Sequence, residues 1–420
     1  MNFSTLGLHP TLSVILDSLG YATPTAIQQA AIPDVLAGYD VMAGAQTGTG
    51  KTAAFALPLI HRLIDAASAD DSSDRPIKVL VLTPTRELAQ QVFQSFVKYS
   101  TGLPVNTVVA YGGASINPQI EALNAGCDVL VATPGRFLEL AIKNLIDPMT
   151  IETLVLDEAD RMLDMGFITD INRILRRLPA QHQTLFFSAT FNDDVFSLSK
   201  TLLNDPKLIE VTARNTTVEK VEQRIYEVDA KRKAALTAYL IGSGNWQQVL
   251  IFTRTKQGAD ELAKELIKDG ISAVAVHGDK SQGARERGLE EFKAGEVRAL
   301  VATDVAARGL DIQQLGHVIN FELPYNAEDY VHRIGRTGRA GQEGVAISLV
   351  SAKEKYLLND VEKLTKQHFS SQWVPGFEPD LNAVEESSSS RTPSKKSLRA
   401  QALGKGDSGN KARNNKRRRR

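Results

Sequence analysis

Cysteine is almost absent. Cys127 is the single thiol in 420 residues, so no internal disulfide can form. That excludes a crosslinked secreted scaffold and fits a reducing compartment. Cys127 precedes the apolar run Asp128-Val129-Leu130-Val131 at an expected strand start, where a structural thiol is expected rather than a nucleophile. No apolar run approaches the length of a membrane-spanning helix. The opening Met1-Asn2-Phe3-Ser4-Thr5 lacks the basic and apolar regions of a secretory signal. A cytoplasmic protein without a membrane partner is therefore expected. Net charge is also lacking, but only in sum. Of 49 basic and 49 acidic residues, twelve basic and one acidic (Asp407) fall within 391–420, which leaves 37 basic and 48 acidic elsewhere. The chain thus joins a concentrated polycation, ending Lys416-Arg417-Arg418-Arg419-Arg420, to an acidic remainder.

The length exceeds one compact domain and suits two. Short apolar runs alternate with longer helical patterns throughout. The first series is Lys78–Leu82, Thr107–Ala110, Asp128–Val131, Leu154–Leu156 and Thr184–Phe187. The second is Val249–Phe252, Ala273–Val276, Ala299–Val301, Val318–Phe321 and Val345–Leu349. Near-continuous hydrophobicity predicts strands covered on both faces, and alternation with helices predicts parallel sheets. The expected fold class is α/β, with two tandem parallel-sheet domains. A short echo, Leu130-Val131-Ala132-Thr133 against Leu300-Val301-Ala302-Thr303, is in keeping with paired domains. Residues 208–220 read as a polar interdomain linker. Beyond about residue 376 the apolar pattern fades, and such composition cannot offset the entropy of ordering. A disordered basic tail, spanning roughly 35–40 Å as a flexible coil, is expected there.

Polar and charged motifs close the apolar runs, where ligands of open α/β sheets bind. Ala45-Gln46-Thr47-Gly48-Thr49-Gly50-Lys51-Thr52 follows a nucleotide-phosphate loop pattern, with Ala45 in the first glycine position. Small residues let backbone N–H groups approach phosphate oxygens, Lys51 neutralises their charge, and Thr52 can ligate Mg²⁺. The preceding Asp40–Ala43 run and the helical pattern after Thr52 supply the strand–loop–helix context. Asp157-Glu158 follows Leu154-Val155-Leu156 directly. Asp157 is a candidate Mg²⁺ ligand, and Glu158 can orient the water that attacks a γ-phosphate. Far downstream, Arg333, Arg336 and Arg339 recur every three residues. An arginine finger from a second domain would stabilise charge on the transferring phosphoryl group, on the order of 10³–10⁵ in rate. The expected catalytic set is Lys51, Asp157, Glu158, Arg336 and Arg339, with ATP and Mg²⁺ as ligands.

With these motifs in this order over residues 1–380, the chain resembles a DEAD-box ATP-dependent RNA helicase, most similar to the bacterial RhlE type. The resemblance implies two RecA-like domains of a superfamily 2 helicase core: a Q-motif segment at 1–29, a first domain at 30–207 and a second at 221–375. It also implies that Phe3, Tyr21, Thr23-Pro24-Thr25 and Ile27-Gln28 form the Q motif, with Gln28 on the adenine edge; Tyr21 suits either adenine packing or ordinary core. By the same resemblance, Pro84, Thr85, Arg86, Gly113, Thr133, Pro134, Gly135 and Arg136 face RNA in the first domain. Arg254, Gln282 and Thr303 do so in the second. Ser188 and Thr190 link hydrolysis to strand separation, and Asp311 lies near the ribose. Contacts of this kind need read no base, so RNA binding is expected to be largely independent of sequence. The tail would add salt-dependent phosphate binding. Ribosomal precursor particles and RNA-decay enzymes are the partners, and ribosome assembly or RNA turnover the roles, that such a resemblance suggests. An ATP-gated RNA clamp and a DNA translocase are the competing functions.

Overall fold

The computed structural model describes residues 2–44, 49–67, 75–191, 193–210, 221–307, 315–338 and 344–380. The chain divides into two compact units, the first essentially up to Arg214 and the second from Asn215. Each holds a seven-stranded, wholly parallel sheet.

In the first unit the strands are β1 (Val41–Gly44), β2 (Val79–Leu82), β3 (Thr107–Ala110), β4 (Val129–Ala132), β5 (Thr153–Leu156), β6 (Gln183–Ser188) and β7 (Lys207–Glu210). In the second they are β8 (Val221–Glu227), β9 (Val249–Thr253), β10 (Ala273–Val276), β11 (Ala299–Thr303), β12 (His317–Asn320), β13 (Gly344–Val350) and β14 (Ser371–Gln372). The sheet orders are β3-β4-β2-β5-β6-β1-β7 and β10-β11-β9-β12-β13-β8-β14. Counted within each unit, both read 3-4-2-5-6-1-7. The two units share one topology, and the LVAT echo falls on its equivalent fourth strands, β4 and β11.

Burial on both sheet faces explains the unbroken apolar runs. Along β2, Val79 and Val81 enter one core with Phe55, Phe96 and Phe187. Leu80 and Leu82 enter another with Phe137 and Phe186. In the second unit, Val249 and Ile251 of β9 pack with Leu262 and Leu266, while Tyr330 and Ile334 pack with Leu357 and Val361 elsewhere. Each such side chain contributes about 1.5–3 kcal/mol when fully buried. Cys127 sits in the second of these cores, where burial and the neighbouring Asp128 push its thiol up to about 12. It is a structural thiol.

The strands missing from the sequence reading lie at or beside sheet edges. β7 buries only Ile209 of its four residues, yet pairs in register with β1, so part of the expected linker belongs to the first sheet. β8 buries Val221 and Ile225 fully and has only the two-residue β14 beyond it. No described helix is long and apolar enough to cross a membrane. The tail from 381 onward lies outside the described residues, as does most of the expected linker.

Candidate functional site

β1 delivers the chain to the phosphate loop, and the helix Lys51–Ala67 leaves it. Ala45, Gln46, Thr47 and Gly48 fall outside the described residues; Thr49 and Gly50 fall within them. Gly50 adopts φ +93°, a conformation that favours glycine. A Cβ there would strike the amide of Gln28. Gln28 is itself buried: its Oε1 accepts from Thr25 N at 2.9 Å, and its Nε2 donates to the Gly50 carbonyl at 3.2 Å. It therefore caps the helix Ala26–Leu36 and braces the end of the loop. These two bonds use half of an amide's donor and acceptor capacity. Tyr21 packs edge-to-face on Tyr99 with ring centroids 6.0 Å apart, and Phe3 is buried in the core.

Lys51 opens its helix with 6% exposure, and Asp157 stands at the tip of β5 with 3%. Among the described residues, neither the Lys51 Nζ nor the Asp157 Oδ1 has a hydrogen-bond partner. Burial pushes the Asp157 carboxyl up to about 7, against the pull of the Lys51 ammonium and with the push of Glu158. Buried charged groups with unused hydrogen-bonding capacity are costly unless a ligand completes them. The Asp157 carboxylate and the hydroxyl of Thr52, which follows Lys51 in the chain, are hard oxygen donors of the kind that fit Mg²⁺. No described group of three or more His, Cys, Asp or Glu side chains could hold a metal by itself.

Glu158 adopts φ +55°, a left-handed conformation costly for a residue with a Cβ. Its Oε2 accepts from Arg161 Nη1 at 2.9 Å, with both side chains buried. The next acid along, Asp160, belongs to the same sequence run but was given no role of its own from the sequence. Its Oδ1 accepts from Arg161 N at 3.0 Å, and its Oδ2 accepts from Ala189 N at 3.2 Å and Thr190 Oγ1 at 3.3 Å. Ser188 Oγ donates to the Thr190 carbonyl at 2.7 Å. The expected coupling residues are therefore wired to the acidic motif through one carboxylate. The signal available in the sequence was the run Asp157-Glu158-Ala159-Asp160, whose second aspartate follows three residues after the first, in the first turn of the next helix.

The residues expected to face RNA in the first unit divide into two groups. Arg86 reaches the Gly113 carbonyl at 3.5 Å, Gly113 takes φ +75°, and Thr133 Oγ1 accepts from Gly112 N at 3.3 Å. Three separate motifs thereby meet at the carboxyl edge of β2, β3 and β4, where Gly113 and Gly135 are exposed. Pro84 and Pro134 are buried. Thr85 is also buried, and its hydroxyl caps the next helix by accepting from Leu88 N at 3.3 Å. Arg136 turns inward with 5% exposure. Its guanidinium donates to Gln119 Oε1 at 2.6 Å and the Ala114 carbonyl at 2.9 Å, and pairs with Glu139 at 3.0 Å. It braces the 111–119 loop rather than presenting its charge to solvent.

The second unit repeats this layout. Thr83 Oγ1 donates to the Thr85 carbonyl, and Thr253 Oγ1 donates to that of Thr255, both at 3.3 Å. Thr85 and Thr255 each cap the helix that follows. Lys256 therefore stands where Arg86 stands in the first unit. It reaches past the third strand to Asp279 at 2.5 Å, as Arg86 reaches Gly113. Internal repetition was the signal that could have found Lys256. Arg254 is held by carboxylates: its N and Nη2 donate to Glu322 at 2.8 and 3.1 Å, and Nη2 lies 3.2 Å from Glu354. Gln282 opens its helix and donates to Glu286 at 2.8 Å, and Thr303 is buried at the end of β11. Arg336 is described and buried, whereas Arg339 and Asp311 fall outside the described residues. Arg333 is 1% exposed and makes four hydrogen bonds within its own unit.

A buried lysine and carboxylate at the carboxyl edge of one parallel sheet, followed by a second sheet of the same strand order, are the arrangement expected of a two-unit, nucleotide-driven helicase core. The family model for DEAD/DEAH box helicases matches residues 25–198, and that for the helicase conserved C-terminal domain matches 231–341. The chain is 41% identical over 379 residues to the DEAD-box ATP-dependent RNA helicase CshA of Bacillus cereus, covering 90% of this chain and 71% of the relative. It is 42% identical over 381 residues to the ATP-dependent RNA helicase DeaD of Mycobacterium tuberculosis, covering 90% and 66%. Among solved structures, Saccharomyces cerevisiae Dbp5 bound to RNA and ADP BeF3 is 30% identical, with 90% and 95% of the chains covered and a TM-score of 0.77. The chain belongs to the DEAD-box helicase family.

Proposed function

We propose that the protein is an ATP-dependent RNA helicase that separates short duplexes locally by closing its two units on one strand. One observation carries the reading: Lys51 at its helix start and Asp157 at the tip of β5 are both buried and interact, with hydrogen-bonding capacity that no described residue fills. A triphosphate and its metal complete that arrangement chemically. Lys51 binds β- and γ-phosphate oxygens, and Thr52 and Asp157 would hold Mg²⁺, which supplies charge neutralisation on the phosphates when bound. Glu158 orients the attacking water. Arg336 and Arg339 bring positive charge to the transferring phosphoryl group from the second unit, and Asp311 takes the ribose. Gln28 reads adenine with the amide capacity left after bracing Gly50, which favours ATP.

RNA follows the carboxyl edges of the sheets through Arg86, Gly113, Thr133 and Gly135, then Gln282, Thr303 and Lys256. ATP and RNA favour one another's binding, as reciprocal coupling requires. A duplex too regular for the closed track yields one bent strand and loses the other. Beyond the family, the finer reading is a cytoplasmic helicase of the bacterial RhlE type. Its basic tail adds RNA affinity, and its substrates lie in ribosomal precursor particles or RNA turnover. The ordered motifs and the polycation at 391–420 support that reading.

ATP hydrolysis measured with matched single-stranded RNA and DNA, beside release of a labelled strand from a short RNA duplex, tests the proposal. RNA alone should stimulate hydrolysis, and ATP should release the strand. Equal stimulation by DNA would favour a DNA translocase. Stimulated hydrolysis without release would favour a clamp.

A further inference from the structure

Among the described residues, Arg333 is the largest fully buried side chain. Its guanidinium makes a bidentate pair with Asp304, Nε to Oδ1 at 2.6 Å and Nη2 to Oδ2 at 2.7 Å. Nη1 donates to Asn320 Oδ1 at 3.1 Å and to the Glu322 carbonyl at 2.6 Å. The flat ion lies over the Phe252 ring, 4.9 Å from its centroid. Four of the five guanidinium N–H groups are thus directed, and the partners come from the ends of three neighbouring strands, β9, β11 and β12.

Its neighbours give the arrangement a purpose. Asp304 directly follows Thr303, a residue of the proposed RNA track. Arg333 lies in the last turn of the helix Ala327–Ile334, and its own carbonyl accepts the backbone N–H of Arg336 at 3.1 Å. Thr337 Oγ1 donates to the Leu315 carbonyl, fixing the far side of Arg336. One planar, rotationally locked cation therefore stands between an RNA-facing strand end and the backbone of the proposed finger.

We propose that Asp304 and Arg333 are positioning residues, which hold the Arg336 backbone in register with the Thr303 strand end so that RNA occupancy places the finger. This rests on the reading of Arg336 as a phosphoryl-stabilising arginine. A lysine at 333 retains charge but can neither form the bidentate pair nor stack as a plane.

The test uses the full chain with Arg333→Lys, Asp304→Asn, the double variant, Arg336→Ala, and Tyr330→Phe as a control. Tyr330 lies on the same helix and donates to Gln223 at 2.8 Å, so its loss perturbs helix packing without touching Asp304. RNA-stimulated kcat should fall about tenfold or more in each single positioning variant, with KM for ATP within about threefold. The double variant should fall no further than the worse single one, because a pair acting as a unit is non-additive. Tyr330→Phe should lower the melting temperature yet keep kcat. Unchanged kcat in folded Arg333→Lys, a loss confined to KM, or an equal kcat loss in Tyr330→Phe would overturn the proposal. Should Arg333→Lys fail to fold, Phe252→Leu removes only the ring beneath the guanidinium. It should then lower kcat in the same direction, and no loss there overturns the proposal. Full RNA-stimulated turnover in Arg336→Ala would remove the finger reading itself. Its loss there, with full turnover in the positioning variants, would remove only the positioning role.

Discussion

Asp160→Asn is the sharpest probe of how the acidic motif communicates with Ser188-Ala189-Thr190. One oxygen of Asp160 accepts from Arg161 N, and the other accepts from Ala189 N and Thr190 Oγ1. Both sides of the carboxylate therefore face donors. An amide has one acceptor oxygen and one donor NH2. Whichever way the substituted amide is turned, an N–H meets an N–H, and a buried donor loses its partner. That costs about 1–3 kcal/mol. For a unit of roughly 200 residues, each kcal/mol lowers the melting temperature by about 2–4 °C. If the amide oxygen stays on Arg161 N, the cost falls on the Ala189–Thr190 loop, away from Lys51 and Asp157. ATP hydrolysis should then persist while duplex release per ATP falls severalfold. Thermal melting, steady-state hydrolysis and strand release on the same preparation decide it. Unaltered melting together with unaltered strands released per ATP would refute the reasoning.

Glu158→Gln should retain ATP binding and slow RNA release, because the water is no longer oriented while Lys51 and Asp157 remain; filter binding with faster RNA release would count against this. Glu354 pairs with Lys233, and both side chains are 4% exposed. Burial raises the Glu354 carboxyl, but Lys233 and Arg254 outweigh that and hold it below the ordinary range. A depressed carboxylate stabilises the fold above its unfolded value, near 4.3, and loses that contribution as pH falls through its folded value. Glu354→Gln should cost about 3–5 kcal/mol in urea unfolding at pH 7, and should flatten the acid limb below pH ~4.3. Equal acid limbs in the two proteins would contradict it. Deleting 391–420 removes a net charge of +11 and should flatten the salt dependence of RNA affinity while leaving core hydrolysis largely intact. An unchanged slope would remove the tail from RNA binding.

The sheets were legible because strands buried on both faces demand unbroken apolar runs, and β2, β4, β9 and β11 are such runs. β7 and β14 were not, since an edge strand needs little apolar surface. At the candidate site, the positions of Lys51 at a helix start and Asp157 after a strand followed from spacing, because local backbone geometry sets them. Arg136 and Arg254 could not. Their fate depends on Gln119, 17 residues away, and Glu322, 68 residues away, and no local pattern reveals a partner at that distance. The same holds for Arg333, which looks identical to Arg336 in sequence and yet is tied to Asp304, 29 residues upstream. The repeated topology was only hinted at by four residues. With both strand orders known, Lys256 aligns with Arg86 at once.

The central claim is that γ-phosphate cleavage requires groups from both units. Cutting the chain after residue 213 and assaying each fragment alone and mixed, with ATP, Mg²⁺ and single-stranded RNA, tests it most directly. Residues 1–213 alone should bind ATP and hydrolyse it far below the intact rate, with RNA giving no stimulation. Full RNA-stimulated turnover by that fragment alone would contradict the account.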